Sequence, residues 1–435
     1  VNRMIELYQD RSIIKEIKRD KLTNLYSEEF FKLYANQFDT KYQDLNKDLL
    51  SVNISKFHLL NERYGKAYAD TQLIKIASYL KSFTNKKQGV VGRIGADIFI
   101  LYCAHLDNYD EFINGLNDIS QGHYHMRVGI YQNVEKGLDI DIAIGRSLSA
   151  SDLIKNDHNK VFAFYDDKTK DDVLFKEDLI NSFDAAIKNK EFQIYYQPKY
   201  AIQGEKNILV SAEALIRWIN PKYGFISPGV FILLFENNGL IQKLDKYVFS
   251  EVARMQAEWF KEYHRYIPIS VNVSRIDIFN PLLVDEILKA VDQYQIPHQY
   301  FYIEITESAY ADNTNEVIKV ASNLKEKGFV IEIDDFGSGY SALNILPDLP
   351  FDVLKIDMAF VKKLDQSEKN RKLVKFIIEL ASSFNAKTVA EGCENEAQYL
   401  FLKEKKCDII QGYYFSKPLP LNEFKLLIEK ELKNL

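Results

Sequence analysis

Two adjacent aspartates, Asp334 and Asp335, lie in the apolar-alternating segment IEIDDFGSGYSAL. Carboxylates a few ångströms apart raise each other's pKa unless cations offset their charge. Residues that can coordinate or titrate also stand at or near the ends of other apolar segments, namely Glu213, Asn272, Glu304, Lys355, Glu391 and Gln411. Any one of these residues could be an ordinary solvent-exposed side chain. Because such a residue stands at the end of segment after segment, the pattern indicates one common site.

The residue types at these positions favour two Mg²⁺ or Mn²⁺ ions. The candidate ligands are hard oxygens, and no histidine or cysteine stands at a segment end, which argues against zinc. In a two-ion site one aspartate can bridge both ions while its neighbour binds the second, and the ions activate water for an in-line displacement at phosphorus. Lys355 then suits a general base or a water-positioning group, with its pKa lowered by burial and by the ions.

Eight apolar segments that alternate with helical patterns must position these side chains. This pattern predicts an α/β fold, a parallel (β/α)8 barrel of the TIM type, whose chemistry lies at the carboxyl ends of the strands. Seven of the eight segments end in, or close to, a candidate residue, and the exception is the first, FQIYYQPKY, which offers Gln197. A mixed α/β unit is predicted to precede the barrel, with DLLSVNIS and HMRVGIYQ among its strands.

Length and composition indicate two domains. The chain has 435 residues, and every proline and both tryptophans lie at Pro198 or later. The predicted divisions are a connecting helix at 1–20, the mixed α/β domain at 21–166, a linker at 167–178 and the barrel domain at 179–435. A net charge of -6 with both signs interspersed argues against a nucleic-acid polymer as partner.

The chain begins with Val1, and none of its apolar runs has the length of a membrane helix. These features predict a cytoplasmic protein, or the cytoplasmic part of a membrane-anchored one, from which an upstream sensor or membrane region has been removed.

The C-terminal unit resembles an EAL domain, the cyclic di-GMP phosphodiesterase family, from about Leu179 to Ile428. The resemblance is carried by motifs in the family's order, which are YYQPK, EALIRW, SVNVS, EITES, IDDFGSGYSAL, LKID, AEGCE and QGYYFSKPL. It implies that one metal ion is held by Glu213, Asn272, Glu304 and Asp334. It implies that the second ion is held by Asp334, Asp335 and, partly through water, Glu391.

The same resemblance implies roles for the remaining site residues. Lys355 would orient or deprotonate the attacking water, and Gln411 would lie beside the metal-bound water. Gln197 and Arg217 would contact the dinucleotide, although Arg217 fits a structural salt bridge equally well from the sequence alone. Glu307 would tether the DDFGSGYS loop, which in this family links the metal site to a homodimer interface.

The N-terminal unit resembles a GGDEF domain, the family that makes cyclic di-GMP from GTP. RDKLTNLYSEEFF, NISKFHLLNERYGKAYAD and GADIF occupy the family's motifs. Asn53 and Ser55 stand where acidic residues are expected, Ala96 replaces the second signature glycine and Ile98 the signature glutamate, while Asp97 keeps its acid. A neutral amide is a weak Mg²⁺ ligand, and a methyl group disfavours a hairpin turn with positive φ. We therefore expect a degenerate domain without cyclase activity.

Guanine recognition can persist in such a domain. Asn61 and Asp70 match the family's base-reading positions, and an amide with a carboxylate can pair with the guanine edge. A helix cap at Asn61 and a solvated acid at Asp70 are equally compatible with the sequence. KKQG stands where the family's product-inhibition motif is expected, so no inhibitory cyclic di-GMP site of that kind is expected.

The sequence thus favours a metal-dependent phosphodiesterase that opens cyclic di-GMP to linear pGpG, with GTP as a candidate regulator. The alternative is a non-catalytic cyclic di-GMP receptor that signals through its N-terminal helix. A bifunctional cyclase and phosphodiesterase is disfavoured by the altered signature.

Overall fold

The computed structural model describes residues 18–155, 157, 160–307, 309, 314–337 and 346–433. The chain divides between Asp178 and Leu179 into two compact units. Most of the helix expected at residues 1–20 lies outside the described residues, as do residues 338–345 of the glycine-containing loop.

The N-terminal unit is a six-stranded mixed sheet with helices on both faces. Its strands are β1 Tyr26–Ser27, β2 Lys47–Ile54, β3 Gly89–Arg93, β4 Ile98–Ala104, β5 Met126–Tyr131 and β6 Phe162–Phe164. Its helices are α1 Glu28–Lys41, α2 Phe57–Tyr64, α3 Lys66–Lys87, α4 Asp110–Ser120 and α5 Ile140–Leu153. The strand order is β1-β3-β4-β2-β5-β6, which confirms a mixed α/β domain.

Strand β2 lies at the centre of this sheet because its residues alternate between two apolar cores. Leu50 and Val52 face the core that contains α3 and α4. Leu49 faces the core that contains α1 and α5. All eight residues of the strand are buried, as expected for a strand covered on both faces.

Helix α6, Asp167–Lys188, crosses the boundary between the units. The segment predicted as a linker, 167–178, therefore forms the first turns of a helix. The sequence DDKTKDD is compatible with this because its charged side chains stay at or near the surface, while Thr169, Leu179 and Phe183 are buried.

The C-terminal unit is a closed barrel surrounded by helices. Its strands are β7 Phe192–Ala201, β8 Ile208–Asn220, β9 Gly224–Ile226, β10 Ile269–Asn272, β11 Phe301–Thr306, β12 Val330–Phe336, β13 Val353–Ile356, β14 Lys387–Glu391, β15 Ile409–Gln411 and β16 Leu419–Pro420. Its helices are α7 Pro228–Asn238, α8 Ile241–Tyr263, α9 Leu283–Asp292, α10 Thr314–Glu326, α11 Met358–Val361, α12 Glu368–Ser383, α13 Glu396–Glu404 and α14 Leu421–Lys433.

Eight strands close the barrel, which confirms the predicted fold class, but one of them runs in the opposite direction. Strand β7 is antiparallel to both of its neighbours, β8 and β15, whereas β8 and β10 to β15 are mutually parallel. The prediction of a fully parallel barrel is therefore wrong at the first strand. The cause is the short connection between Ala201 and Ile208, which joins β7 and β8 as a hairpin, whereas a parallel pair needs a long crossover.

An aromatic cluster lies where α6 enters the barrel. Phe183 of α6 packs on Phe192 of β7 and Phe235 of α7, with ring centroids 5.8 and 5.0 Å apart. Trp218 of β8 lies 4.8 Å from Phe192 and donates its Nε1 hydrogen to Glu191, 2.9 Å away. Because these side chains are almost fully buried, they fix the end of α6 to the β7–β8 hairpin.

None of the helices in the described ranges is both long and apolar enough to cross a membrane.

We expect Gly129→Ala to destabilise the N-terminal unit by at least about 2 kcal/mol, because a β-carbon there would lie 1.8 Å from the backbone oxygen of Ser147. Urea unfolding followed by circular dichroism measures the change. The matched control is Gly145→Ala, which meets no atom within 4 Å and should be neutral or stabilising. Both tryptophans lie in the C-terminal unit, so their fluorescence transition should stay unchanged. Equal free energies of unfolding for the two variants would contradict the close approach of Gly129 to the Ser147 backbone.

Candidate active site

The side chain of Lys355, on β13, lies among four carboxylates at the carboxyl end of the barrel. Its Nζ atom is 2.7 Å from Glu391, 2.9 Å from Asp334, 3.1 Å from Glu304 and 3.6 Å from Glu213. The lysine is buried, with 1% of its side chain exposed. The four acids come from β8, β11, β12 and β14, so the parallel strand ends bring together the residues that the sequence singled out.

The carboxylates determine the charge of Lys355. Burial lowers its pKa, but the negative charges of Asp334, Glu213, Glu304 and Glu391 outweigh burial and raise the pKa well above its usual value. The expectation of a lowered pKa includes the effect of bound ions, so it stays a prediction for the ion-bound site, where burial acts in the same direction. Lys355 is an ammonium group, which can orient water and offset negative charge.

Two amide side chains contact Glu213 on β8, and a third amide contacts one of these two. Asn272 donates a hydrogen bond from Nδ2 to one carboxylate oxygen of Glu213 at 2.9 Å, and Gln411 donates from Nε2 to the other at 2.6 Å. Gln411 also donates to Gln197 at 3.1 Å. Gln197 stands opposite Glu213 in the antiparallel pairing of β7 and β8, so the reversed strand still brings Gln197 to the site.

A bulge in β12 directs both adjacent aspartates to the same side of the barrel. The register with β13 shifts between Ile333 and Phe336, and Asp335 has a left-handed backbone with φ 56°. In a regular strand the two side chains would point to opposite faces. Here one carboxylate oxygen each from Asp334, Asp335 and Glu391 lie within 4.8 Å of one another.

Burial and repulsion by neighbouring acids raise the pKa values of Asp335 and Glu391. Burial and the neighbouring charge of Asp334 raise the pKa of Asp335 to about 7. Burial raises the pKa of Glu391 to about 8, against the opposing charge of Lys355. Protein charges alone therefore do not favour full ionisation of Asp335 and Glu391 near neutral pH, and added positive charge would favour it.

Glu307 anchors the chain that follows the aspartate pair. Its Oε2 atom accepts a hydrogen bond from the backbone N–H of Gly337 at 2.7 Å. Glu307 is buried, with 4% of the residue exposed. Gly337 has φ 97° and lies close to Phe360. The tether predicted for Glu307 is thus present at the start of the loop, whose residues 338–345 lie outside the described range.

A cavity of about 460 Å³ is lined by Asn272, the residue that donates a hydrogen bond to Glu213. Arg217 and Leu233 also line this cavity. The guanidinium of Arg217 lies 5.8 Å from the ring centre of Tyr195, and Arg217 forms no ion pair with the acidic residues in the described ranges. The arginine is therefore placed to contact a ligand in the cavity.

Sequence reasoning missed a second buried lysine, Lys199 on β7. Its Nζ atom lies 2.8 Å from Glu304 and 2.6 Å from Glu332, and neither acid is appreciably exposed. Burial raises the pKa of Glu332 to about 7, although Lys199 lowers it, and Lys199 with Lys355 keeps the pKa of Glu304 below its usual value against burial. The available signal was a charged residue inside each of two apolar strands, QPKY and VIEIDD.

The donor set fits hard divalent cations. Glu304 Oε2 and Gln411 Oε1 are buried and have no hydrogen-bond partner, so both oxygens remain available as acceptors. The other candidates offer carboxylate and amide oxygens, the ligands that Mg²⁺ and Mn²⁺ take. The residues that could hold two ions are those singled out from the sequence, namely Glu213, Asn272, Glu304, Asp334, Asp335 and Glu391.

The signature region of the N-terminal unit forms the turn between β3 and β4. Gly95 and Ala96 both have negative φ, so the methyl group of Ala96 causes no backbone strain, and that part of the expectation is wrong. Asn53 and Ser55 have buried side-chain oxygens without a hydrogen-bond partner. Burial raises the pKa of Asp97, which makes it a poorer cation ligand than an ionised aspartate.

Asn61 and Asp70 lie on the consecutive helices α2 and α3, and both are half-buried. Asn61 is inside α2, where its Nδ2 donates to the backbone oxygen of Phe57 at 3.3 Å. It therefore does not cap the start of a helix. Its side-chain oxygen is not used in this bond.

The fold and site together define an α/β-barrel protein with an oxygen-ligand centre at the carboxyl ends of its strands. Residues 180–418 match the family model "EAL domain", and residues 17–159 match "Diguanylate cyclase, GGDEF domain". The chain belongs to the EAL domain family and carries a GGDEF and an EAL domain in tandem.

The relatives of this chain include two proteins of Pseudomonas aeruginosa. It is 26% identical to "Bifunctional diguanylate cyclase/cyclic di-GMP phosphodiesterase MucR" over 95% of this chain and 62% of that protein. It is 36% identical to "Cyclic di-GMP phosphodiesterase NbdA" over 54% of this chain and 30% of that protein. The solved structure "PaMucR Phosphodiesterase, c-di-GMP complex" is 32% identical, with a TM-score of 0.54 over 57% of this chain and 99% of that one. The chain thus spans less than two thirds of the length of either P. aeruginosa protein.

We expect Glu307→Ala to speed amide hydrogen exchange at Gly337 about tenfold or more, because the backbone N–H loses a carboxylate acceptor. Exchange followed by mass spectrometry on peptides that contain residue 337 measures this. Glu326→Ala, an exposed acid on α10, is the control and should leave the exchange unchanged. Unchanged exchange in Glu307→Ala would show that the tether does not hold this segment in solution.

Proposed function

We propose that the EAL domain hydrolyses cyclic di-GMP to linear pGpG with two bound Mg²⁺ or Mn²⁺ ions. The observation that carries the proposal is the cluster of buried carboxylates from four strands around one lysine, beside a cavity that Arg217 lines. The names of the relatives MucR and NbdA support the choice of substrate. A structure of the P. aeruginosa MucR domain in complex with cyclic di-GMP supports it as well.

The ligand sets follow the positions of the acids. Glu213, Asn272, Glu304 and Asp334 would hold one ion, and Asp334, Asp335 and Glu391 would hold the second. When bound, such ions lower the pKa of water and stabilise charge at phosphorus. The raised pKa values of Asp335 and Glu391 are consistent with acids that ionise fully only beside added positive charge.

The remaining site residues bind and orient. Lys355 lies among the proposed ligands, so it would orient the attacking water, and its positive charge would offset the charge that develops on the phosphate. Arg217 binds a phosphate or base of the dinucleotide in the cavity, and Gln197 contacts the ligand from β7. Gln411 fixes Glu213 and leaves its own oxygen for water. Glu307 acts as a positioning residue through Gly337.

Two further properties belong to this proposal. The GGDEF domain binds GTP weakly through Asn61 and Asp70, regulates the phosphodiesterase and makes no cyclic di-GMP, since Asn53 and Ser55 replace acids and Asp97 has a raised pKa. The chain acts as a homodimer through its barrel.

We expect the purified chain to convert cyclic di-GMP to pGpG in the presence of Mg²⁺ or Mn²⁺. The conversion should stop when EDTA removes the ions. Chromatography of the products measures this. Glu213→Ala removes a ligand and should lower turnover at least about 100-fold, whereas Glu205→Ala in the exposed β7–β8 turn should not. Tight binding without product in both metals would indicate a cyclic di-GMP receptor instead. Wild-type turnover in Glu213→Ala would overturn the assignment of the site.

For the GGDEF domain we expect calorimetry at millimolar GTP to detect binding to the full chain. Asn61→Ala and Asp70→Asn should each weaken it about tenfold, because each removes a partner of the guanine edge. Asp118→Asn, an exposed acid on α4, is the control. No binding to the wild-type chain would contradict the proposed GTP site, and the phosphodiesterase assignment would be unaffected.

A further inference from the structure

Behind the candidate metal ligands lies a cluster of buried polar side chains around Lys199. The Nζ atom of Lys199 donates to Ser270 Oγ at 2.7 Å, to Glu304 Oε1 at 2.8 Å and to Glu332 Oε2 at 2.6 Å. The Ser270 hydroxyl also donates to Glu332 Oε2 at 2.9 Å. All four residues are at most 1% exposed, so this cluster is part of the barrel interior.

Lys199 reaches these partners across the barrel. It is on β7, where it stands beside Gln411 of β15 and Ser211 of β8. Its three partners are on β10, β11 and β12, which are adjacent strands on the opposite wall. Lys199, Ser270 and Glu332 are at most 1% exposed, so a substrate at the strand ends does not touch their side chains.

The two oxygens of Glu304 have different environments. Oε1 is bound by Lys199 at 2.8 Å. Oε2 is 3.1 Å from Lys355 and is buried without a hydrogen-bond partner. Ionic hydrogen bonds are stronger than neutral ones, so the contact of Lys199 with Oε1 restrains the Glu304 carboxylate from the side opposite to Lys355.

We propose that Lys199 is a positioning residue that holds Glu304 in its metal-binding orientation, with Ser270 and Glu332 completing the contact. This inference rests on the proposed metal-dependent function. Groups that hold a metal ligand through its second oxygen commonly change metal affinity about 10- to 100-fold when they are removed. Without Lys199 the carboxyl groups of Glu304 and Glu332 have no cation between them, and Glu304 keeps only its contact with Lys355 at Oε2.

The test compares metal binding by four variants of the full chain, namely Lys199→Met, Glu332→Gln, the double variant and Lys47→Met. Lys47 is a buried lysine of the N-terminal unit, paired with Asp39 at 2.8 Å, and it controls for the loss of a buried ion pair. Calorimetric titration with Mn²⁺ gives the affinity without the need for turnover. Rates of cyclic di-GMP hydrolysis are then measured over a range of Mn²⁺ concentrations.

We expect Lys199→Met to weaken Mn²⁺ binding about tenfold or more, and Glu332→Gln and Lys47→Met to stay within about threefold of wild type. The double variant should bind Mn²⁺ more tightly than Lys199→Met but more weakly than Glu332→Gln, because an amide at position 332 removes the repulsion and can donate to Glu304 but carries no positive charge. At saturating Mn²⁺ the KM for cyclic di-GMP should be unchanged in Lys199→Met, since Lys199 does not touch substrate.

Equal Mn²⁺ affinity in Lys199→Met and wild type would overturn the inference, as would an equal loss in Lys47→Met. If Lys199→Met does not fold, the double variant is compared with Glu332→Gln, and equal affinity of these two would overturn it as well. Absence of Mn²⁺ binding or of hydrolysis by the wild-type chain would instead contradict the proposed function.

Discussion

One buried ammonium group, that of Lys355, makes the acidic end of the barrel possible. It lies within 3.6 Å of four carboxylates that come from four strands. Without a cation these acids could not all be ionised in a buried site, because each would raise the pKa of the others. Lys199 has the same function one layer deeper, between Glu304 and Glu332. At this end of the barrel, buried lysines placed between carboxylates hold the interior together. Elsewhere the interior is held by apolar packing.

The sequence predicted the barrel and most of the candidate site because strand ends in such a barrel share one rim. Glu213, Glu304 and Glu391 could be found from their position at the end of apolar segments. The direction of β7 could not be found from that pattern, because direction is determined by the hairpin rather than by periodicity. Strand alternation also predicts opposite faces for Asp334 and Asp335, and only the left-handed backbone at Asp335 brings them together.

The two domains differ in what their buried polar groups do. In the barrel nearly every buried acid of the site has a cationic or amide partner. In the N-terminal unit, Asn53 and Ser55 have buried oxygens that are without a partner, and the signature turn adopts ordinary backbone angles. The altered residues there remove charge without disturbing the sheet, since β2 remains buried and paired on both sides. The replacement of acidic residues at Asn53 and Ser55 is thus compatible with retention of the fold.

The reversed strand changes where the chain enters the barrel. In a fully parallel barrel the first strand starts at the base, far from the chemical rim. Here β7 starts at the rim, because it runs antiparallel to β8 and β15. Helix α6 therefore ends beside the carboxyl end of β8, and Phe183, Phe192 and Trp218 join the helix to the hairpin. That hairpin carries Gln197, Glu213 and Arg217. The strand reversal thus joins α6 directly to the hairpin that carries these three residues.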